Sequence, residues 1–387
     1  MKILNSIDEL EVLLSPIAIE AYLGPDWLET EPENMVIDSV TMDFKNPSFG
    51  TLITKVGHKV NEKVFFIKIT TEFGTNNNEE KFTRALTLIG NAETGVILAI
   101  LPEGSNNPLE ISEINWTNIQ KNLKALGAKK VCQLQKDGFI AFSSGNITIP
   151  NVVYLPFKEQ NGDLHLKGAH KKGGDIFVLK IATGFPKNKD RGIATSQGIM
   201  IAFDAHKGDP LTILTDEGHL TDLRTAISGR NAAEELMSPD DLIGIGVLGT
   251  GTQARLQIMQ LETLYPNCRK LTVWGRTVEN IENYRGEMKN RGWDVTIANN
   301  PKNVADISNL IITTTSSKSA LLEASDIIYP NTVIIAIGAD TPGKIELAPD
   351  LLKKAHNILI DSIIQGKDHG NAAFAIKEGI INEEDIQ

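Results

Sequence analysis

An apolar run that ends in a glycine turn and passes at once into a helix-forming segment constrains this chain more than any other stretch. Residues 243–255 read Ile-Gly-Ile-Gly-Val-Leu-Gly-Thr-Gly-Thr-Gln-Ala-Arg. The continuous apolarity up to Leu248 is that of a strand buried on both faces. Gly249-Thr250-Gly251 supplies a tight turn. Ala254 takes the third small position of a Gly-x-Gly-x-x-Ala spacing, where helix and strand must pack closely. The first amides of such a helix point outward and, with the helix dipole, favour a pyrophosphate at that spot. Gly249, Thr250, Gly251, Thr252, Gln253 and Ala254 are therefore candidate cofactor-binding residues. In isolation the pattern is weak; the next hundred residues give it weight.

Downstream, strand-like and helical segments alternate. Residues 242–248, 270–274, 294–298, 310–314, 332–337 and 358–361 read as strands, and 253–265 and 278–291 as helices. That rhythm predicts an α/β domain, a Rossmann-type doubly wound parallel sheet with helices on both faces. Upstream, 177–181, 198–204 and 211–215 are strand-like runs joined by short turns containing Gly and Pro, an antiparallel α+β style. Residues 222–237 read as a helix leading into the dinucleotide domain. The expected division is an N-terminal extension at 1–125, a β-rich substrate-binding and dimerisation domain at 126–225, the Rossmann-type domain at 226–362, and a C-terminal return at 363–387.

The chain also echoes itself. Phe66-Ile-Lys-Ile-Thr-Thr-Glu-Phe73 parallels Val178-Leu-Lys-Ile-Ala-Thr-Gly-Phe185. The parallel continues through Asn76 and Asn188, Thr83 and Thr195, Ala92 and Ala205, and the Glu-Gly pairs ending at Gly104 and Gly218. The offset grows from 112 (Lys68 to Lys180) to 114 (Gly104 to Gly218), so two insertions suffice. Self-similarity at a nearly fixed period points to a degenerate duplication of one sheet unit; chance likeness between two β-meanders is the alternative. The first copy lacks the Arg-Thr-Ala segment that follows the second. It reads as a structural or dimer-forming module, not a second active site.

The 387 residues are enough for two or three domains with cores of their own. The net charge of −11, with no basic patch to offset it, argues against nucleic acid or an anionic membrane as partner. Cys132 and Cys268 have neither ligand-like nor paired spacing, which suits a reducing cytosol without structural zinc. The N-terminus turns acidic at Asp8-Glu9 before any apolar core of signal-peptide length, and no run of about 18 apolar residues occurs. A soluble cytoplasmic protein that binds no metal is expected.

Three segments at predicted strand ends carry further candidates. After the second strand, where an NAD site usually places an Asp or Glu for the ribose hydroxyls, the chain has Arg276 and Thr277. A guanidinium and a hydroxyl suit a 2′-phosphate, which indicates NADP(H) with NAD possible; a solvated arginine and a helix-capping threonine are the alternative. Thr314, Thr315 and Ser316 end a strand where a cofactor crosses and are placed to touch ribose or nicotinamide, unless they are simple strand-end composition. Gly338-Ala-Asp-Thr-Pro-Gly follows the next strand and aims Asp340 at the nicotinamide, although Asp-x-Pro-Gly alone is more often just a turn.

Taken together these segments resemble the ornithine cyclodeaminase/μ-crystallin family, over about residues 139–381. The resemblance rests on four ordered motifs: Lys180-Ile-Ala-Thr-Gly-Phe-Pro-Lys-Asn188, Leu220-Thr-Asp-Leu-Arg-Thr-Ala226, Gly249-Thr-Gly-Thr-Gln-Ala254 and Gly338-Ala-Asp-Thr-Pro-Gly-Lys344. It implies that Lys180 and Arg224 bind a substrate carboxylate, that Asp340 handles the proton of an α-amino or imino group, and that Gly338 belongs to the cofactor site. Asp340 and Lys180 become the candidate catalytic residues. Family members commonly carry a further carboxylate-binding Arg where this chain reads Ile149-Pro-Asn-Val-Val-Tyr154. Lys167, His170 or Lys171 is the candidate replacement. The resemblance also implies that a final helix near 371–379 packs back on the first domain and that two chains form a homodimer.

The expected activity is hydride transfer at the α-carbon of an amino acid or its imine. Cyclodeaminase, amino-acid dehydrogenase and ketimine reductase all need a carboxylate clamp, an acid/base near nitrogen and a dry nicotinamide face. The alternatives are an NADPH-binding protein without turnover, as in the μ-crystallin branch, and a regulatory or structural protein built around the duplicated sheet.

Overall fold

A computed structural model describes residues 2–3, 35–44, 49–59, 63–74, 81–103 and 111–387. The chain divides into two compact units, residues 1–131 with 137–221, and residues 132–136 with 222–387. The stretch expected as an extension thus shares one unit with the β-rich domain.

The first unit holds two sheets. Strands β1 (Lys2–Ile3), β2 (Met35–Phe44), β3 (Phe49–Lys59), β4 (Val64–Gly74), β5 (Lys81–Asn91) and β6 (Ile97–Glu103) lie in the order β1-β6-β5-β4-β3-β2. All neighbours are antiparallel except β1 and β6. Then come β7 (Ser112–Asn115), the helices α1 (Trp116–Leu126) and α2 (Ala128–Ser143), β8 (Ile147–Thr148), β9 (Val153–Phe157), β10 (Gly162–Lys171), β11 (Ile176–Gly184), β12 (Ser196–Asp204) and β13 (Pro210–Thr215). Their order is β7-β13-β12-β11-β10-β8, with β9 also paired to β10, and only β7 with β13 is parallel. The sequence explains the layering. Along β11, Phe177, Leu179, Ile181 and Thr183 alternate with Val178, Lys180 and Ala182, and the first set is buried. Both sheets turn such a face inward to one shared core, in which Leu52, Phe65 and Ile67 join Leu164, Phe177 and Leu179.

The second unit takes up α3 (His219–Leu236), which starts at the end of the first. It continues through β14 (Ile245–Leu248), α4 (Thr252–Leu264), β15 (Lys270–Trp274), α5 (Val278–Asn290), β16 (Asp294–Ile297), α6 (Pro301–Ala305), β17 (Leu310–Thr313) and β18 (Val333–Ala336). It ends with α7 (Pro349–Lys354), α8 (Ile363–Asp368) and α9 (Gly370–Lys377). The sheet order is β16-β15-β14-β17-β18, every pair parallel. One face packs on α3, α4 and α5 through residues such as Ala233, Ile258 and Tyr284, the other on α6, α7 and α9 through Val304, Leu351 and Ala375. This is the doubly wound arrangement the β/α rhythm predicts. The order reverses at β14, which makes the carboxyl end of β14 the switch point where such sheets bind ligands.

Two expectations need correction. Residues 358–361 are not a strand of the sheet. Their backbone pairs instead with the chain end: Ile358 bridges Ile386, and Ile360 N–H and Gln387 N–H are donated to the Gln387 and Ile358 carbonyls. The final helix α9 belongs to the second unit, because its small Ala372 and Ala375 are buried in the core that α7 and the parallel sheet share. Asn76 and Gly104, two members of the repeat, lie outside the described residues.

Candidate active site

The turn after β14 requires glycine at its first position. Gly249 has φ 119°, and a Cβ there would stand 2.6 Å from Thr314 Oγ1. Gly251 is the N-cap residue of α4 in extended conformation, and nothing stands within 4 Å of where its Cβ would be. The first amides of α4, those of Thr252, Gln253 and Ala254, have no carbonyl ahead of them in the helix, which is the anion-binding geometry. Ala254 is fully buried, and the Tyr284 hydroxyl donates to its carbonyl at 3.1 Å.

Two side chains hold this turn. Arg255 donates to the Thr250 carbonyl and, at 3.2 Å, to the Gly251 carbonyl. Its guanidinium forks onto Glu287 at 2.5 and 2.8 Å and lies 5.4 Å above the Tyr284 ring. The Glu287 hydrogen bond pushes the Arg255 pKa up, while Arg255 holds the Glu287 carboxyl below the usual range. With the turn's carbonyls engaged by a cation and the Gly249 amide donated to the Trp274 carbonyl at 2.8 Å, the first amides of α4 remain for an anionic ligand. Arg255 closes the motif in the sequence, yet only its contacts reveal this role. Gln253 is the second. Its side-chain amide donates to the Asp222 carbonyl at 3.0 Å and to Oδ1 at 3.2 Å, tying α4 to α3. Its side chain is thus engaged with α3, while its backbone amide stays part of the turn.

At the end of β15, Arg276 is exposed and makes no hydrogen bond or ion pair among the described residues. Thr277 occupies the N-cap position of α5, but its hydroxyl makes no capping bond. Thr277 thus holds the N-cap position of the alternative reading without its side-chain bond, and the Arg276 and Thr277 side chains are both exposed. A Cβ on Gly275 would meet Thr250 Cγ2 at 2.9 Å, so the two loops touch.

The ends of β17 and β18 are joined by a residue that no motif marks. Glu346 is fully buried and accepts four hydrogen bonds: Thr315 N at 2.6 Å and Thr315 Oγ1 at 2.8 Å on Oε1, Thr313 Oγ1 at 2.7 Å and Gly338 N at 2.8 Å on Oε2. A Cβ on Gly338 would stand 2.2 Å from the Thr315 carbonyl oxygen. Thr315 and Gly338, both expected at the cofactor site, give their amides and the Thr315 hydroxyl to Glu346, which ties the two strand ends together. Thr314 donates its hydroxyl to the Leu248 carbonyl at 3.3 Å, and Ser316 is exposed. Asp340 follows β18 with its side chain 65% exposed and its carboxylate 2.6 Å from Lys344 Nζ.

In the first unit, Lys180 lies on the β11 face turned away from the sheet pair, directly across from Lys167 on β10 and Met200 on β12. Its Nζ donates to Thr221 Oγ1 at 3.4 Å. His165 shares that face, its ring tilted at 54° to that of Tyr154 with centroids 5.0 Å apart, and Asp163 Oδ1 lies 3.6 Å from its Nε2. Neither His165 nor Tyr154 was singled out by its motif; a strand pattern of alternate polar residues was the available signal. His170 is corrected as a substrate ligand. It pairs with Phe177, an odd step along the strand from Lys180, so it points into the core, where it is 3% exposed and its Nε2 lies 3.0 Å from the Gly174 carbonyl. Lys171 lies exposed at the strand end. Arg224 is exposed on α3, in the second unit, and its carbonyl accepts from Gln135 Nε2 at 2.7 Å.

The sequence profile of the ornithine cyclodeaminase/mu-crystallin family matches residues 118–386, well over half of the chain. The chain belongs to this family. An alanine dehydrogenase of Archaeoglobus fulgidus is 31% identical over 251 residues, which is 65% of this chain and 74% of that protein. An archaeal alanine dehydrogenase dimer with bound NAD superposes with a TM-score of 0.63 at 25% identity, covering 71% of this chain and 82% of that one. Thermococcus litoralis Delta(1)-pyrroline-2-carboxylate reductase, solved with NADH and L-proline, gives 0.64 at 20% identity, covering 71% and 84%. The family match begins after β7, so the sheet β1–β6 lies outside it. No described helix is long and apolar enough to cross a membrane.

Proposed function

We propose that this chain is an enzyme of NAD(P)-dependent hydride transfer at the α-carbon of an amino acid or its imine. The observation that carries this is the glycine turn at the switch point of a parallel sheet, in a chain whose family includes amino-acid dehydrogenases, imine reductases and cyclodeaminases. The nicotinamide, when bound, supplies the hydride chemistry. The chain's own residues do the rest. The α4 amides and Arg255-braced turn hold the pyrophosphate. Arg276 and Thr277 take a 2′-phosphate, which favours NADP(H) over NAD(H). Lys180 binds the substrate carboxylate, with Lys167 across from it in place of the family arginine. Arg224 on α3 is the third cation, a role that the family motif Leu220-Thr-Asp-Leu-Arg-Thr-Ala226 supports. Asp340 holds or moves the proton at the substrate nitrogen.

A second reading is a nucleotide-binding protein without turnover, favoured by one observation, the exposed Asp340 carboxylate already paired with Lys344. The two part on a panel of L-ornithine, L-lysine, L-alanine, cyclic imines and α-keto acids with ammonia. Each is assayed with NAD(H) and NADP(H), followed at the nicotinamide absorbance and by product mass. Turnover that Asp340→Asn abolishes while NADPH binding survives supports the enzyme. Binding with no turnover of any substrate leaves only the second reading. Arg276→Ala is expected to weaken NADPH at least tenfold and NADH little; equal loss of both refutes the phosphate assignment.

The two cysteines are unpaired, which supports a cytosolic setting. A homodimer is the assembly suggested by the archaeal alanine dehydrogenase. Any pairing of two chains is assigned to a surface other than the inner face of the β7–β13 sheet, which β1–β6 covers.

A further inference from the structure

The two sheets of the first unit share one strand order, with β8 and β9 together taking the place beside β10 that β2 takes beside β3. Each begins with a short edge strand parallel to its last strand and then runs as an antiparallel meander. The registers match as well. Lys55 faces Lys68 as Lys167 faces Lys180, Lys68 faces Thr87 as Lys180 faces Met200, and Leu88 faces Ile100 as Ile201 faces Ile213. The offset is 112 residues through β4 and β11 and 113 after the following turn, so Thr83 corresponds to Ser196 and not to Thr195. Even the irregularity is repeated: a bulge falls between Ile89 and Gly90 and between Ala202 and Phe203. The next turn is the same device twice. Asn91 Oδ1 accepts from Glu93 and Thr94 amides as Asp204 Oδ1 accepts from His206 and Lys207, and Gly95 and Gly208 close it at φ 71° and 74°. Two chance meanders have no reason to share register, bulge and turn.

The contacts between the copies are reciprocal. Thr71 Oγ1 of the first donates to the Gly208 carbonyl of the second at 2.9 Å, and Thr183 Oγ1 of the second donates to the Gly95 carbonyl of the first at 3.0 Å. Phe73 packs so closely on Gly208, and Phe185 on Gly95, that a Cβ on either glycine would lie 2.6 or 2.5 Å from the ring. Residue i meeting j while the equivalent of j meets the equivalent of i is the mark of a two-fold, isologous interface. A sheet with one apolar face must bury it, and a chain with a single copy would do so by pairing with a second chain.

We infer that strands β1–β6 are a second copy of the substrate-domain sheet, fused in cis, which occupies the face that another subunit's sheet would cover. One chain is then a complete sheet pair with a single active site. The first copy keeps Lys55 and Lys68 at the places of Lys167 and Lys180. However, β6 ends at Glu103 and β7 begins at Ser112, so no dinucleotide unit follows it. This pairing does not depend on the activity proposed above.

The test uses the Arg84–Asp209 ion pair, which joins the copies at 2.8 Å. In the full-length Arg84→Lys variant, a carbodiimide should link residue 84 to Asp209. Isotopically heavy and light chains are unfolded together, refolded as a mixture and cross-linked. All-heavy and all-light 84–209 pairs, without mixed ones, are expected even if the protein proves dimeric by light scattering. Mixed pairs near the statistical half would show that the sheets pair between chains, and absence of the 84–209 link would show that the copies do not pack. Either overturns the inference.

Discussion

Replacing Glu346 by glutamine changes one oxygen to an NH2 and almost nothing in volume, yet the site has no room for it. The carboxylate is fully buried, and each oxygen accepts two hydrogen bonds, one of them from a backbone amide. The Thr313 and Thr315 hydroxyls can rotate to accept from an NH2 group, but the amides of Thr315 and Gly338 cannot. Whichever way the glutamine turns, one buried N–H faces another donor. An unsatisfied buried donor costs about 1–3 kcal/mol, against a total stability of about 5–15 kcal/mol. Since each 1.4 kcal/mol is about tenfold, the folded fraction relative to unfolded should fall at least several-fold. Urea unfolding followed by the fluorescence of Trp274 and Trp293, both in this unit, reports the change as a lower midpoint at unchanged slope. Glu346→Leu, which orphans both amides, should lose more, and exposed Glu378→Gln should lose nothing measurable. Cofactor affinity should fall with Glu346→Gln as the two strand ends loosen. If the Glu346→Gln midpoint coincides with the parent's, the carboxylate does not hold these strands and the positioning role of Thr315 and Gly338 fails with it.

Arg255→Met should raise the dissociation constant for NADPH about tenfold by calorimetric titration, because an unbraced turn must be ordered on binding; an unchanged constant refutes the bracing. Arg255 holds the Glu287 carboxyl low, so that pair's stabilisation is present above the ordinary glutamate pKa of 4.5 and disappears as pH falls through the folded value. Glu287→Gln should therefore be less stable than the parent at neutral pH, by under about 1 kcal/mol for a half-exposed pair, and equal to it in acid. Asp216 shows the opposite sign. Burial, against the hydrogen bond from Leu220 N, raises its pKa above 3.8, so its contribution is full below that value and is lost as pH rises through the folded value. Asp216→Asn keeps an acceptor for Leu220 and should gain stability over the parent between acid and neutral pH; parallel pH profiles in urea unfolding would refute this. Lys167→Met should raise KM for the carboxylate substrate about tenfold or more with a smaller effect on kcat, and an unchanged KM would remove Lys167 from the clamp.

What could be read directly from the chain was whatever is decided by neighbours in sequence. Strand and helix periods, the glycine turn at residues 249–251 and the small residue at 254 are local requirements of backbone geometry, so they stand in the sequence as composition and spacing. The repeat was legible for the same reason, since Lys68 and Lys180 sit in copies bound by the same alternation. Tertiary structure alone decided which distant groups meet. Nothing in Lys344-Ile-Glu-Leu347 distinguishes Glu346 from a solvated glutamate until Thr313, Thr315 and Gly338 converge on it. His170 resembled a ligand until the register with Phe177 turned it to the far side of the sheet from Lys180. That Thr71 reaches Gly208 while Thr183 reaches Gly95 is a matter of two faces packing across more than eighty residues of chain. Hydrogen bonds and ring contacts of that range depend on three-dimensional proximity, which spacing along the chain does not encode.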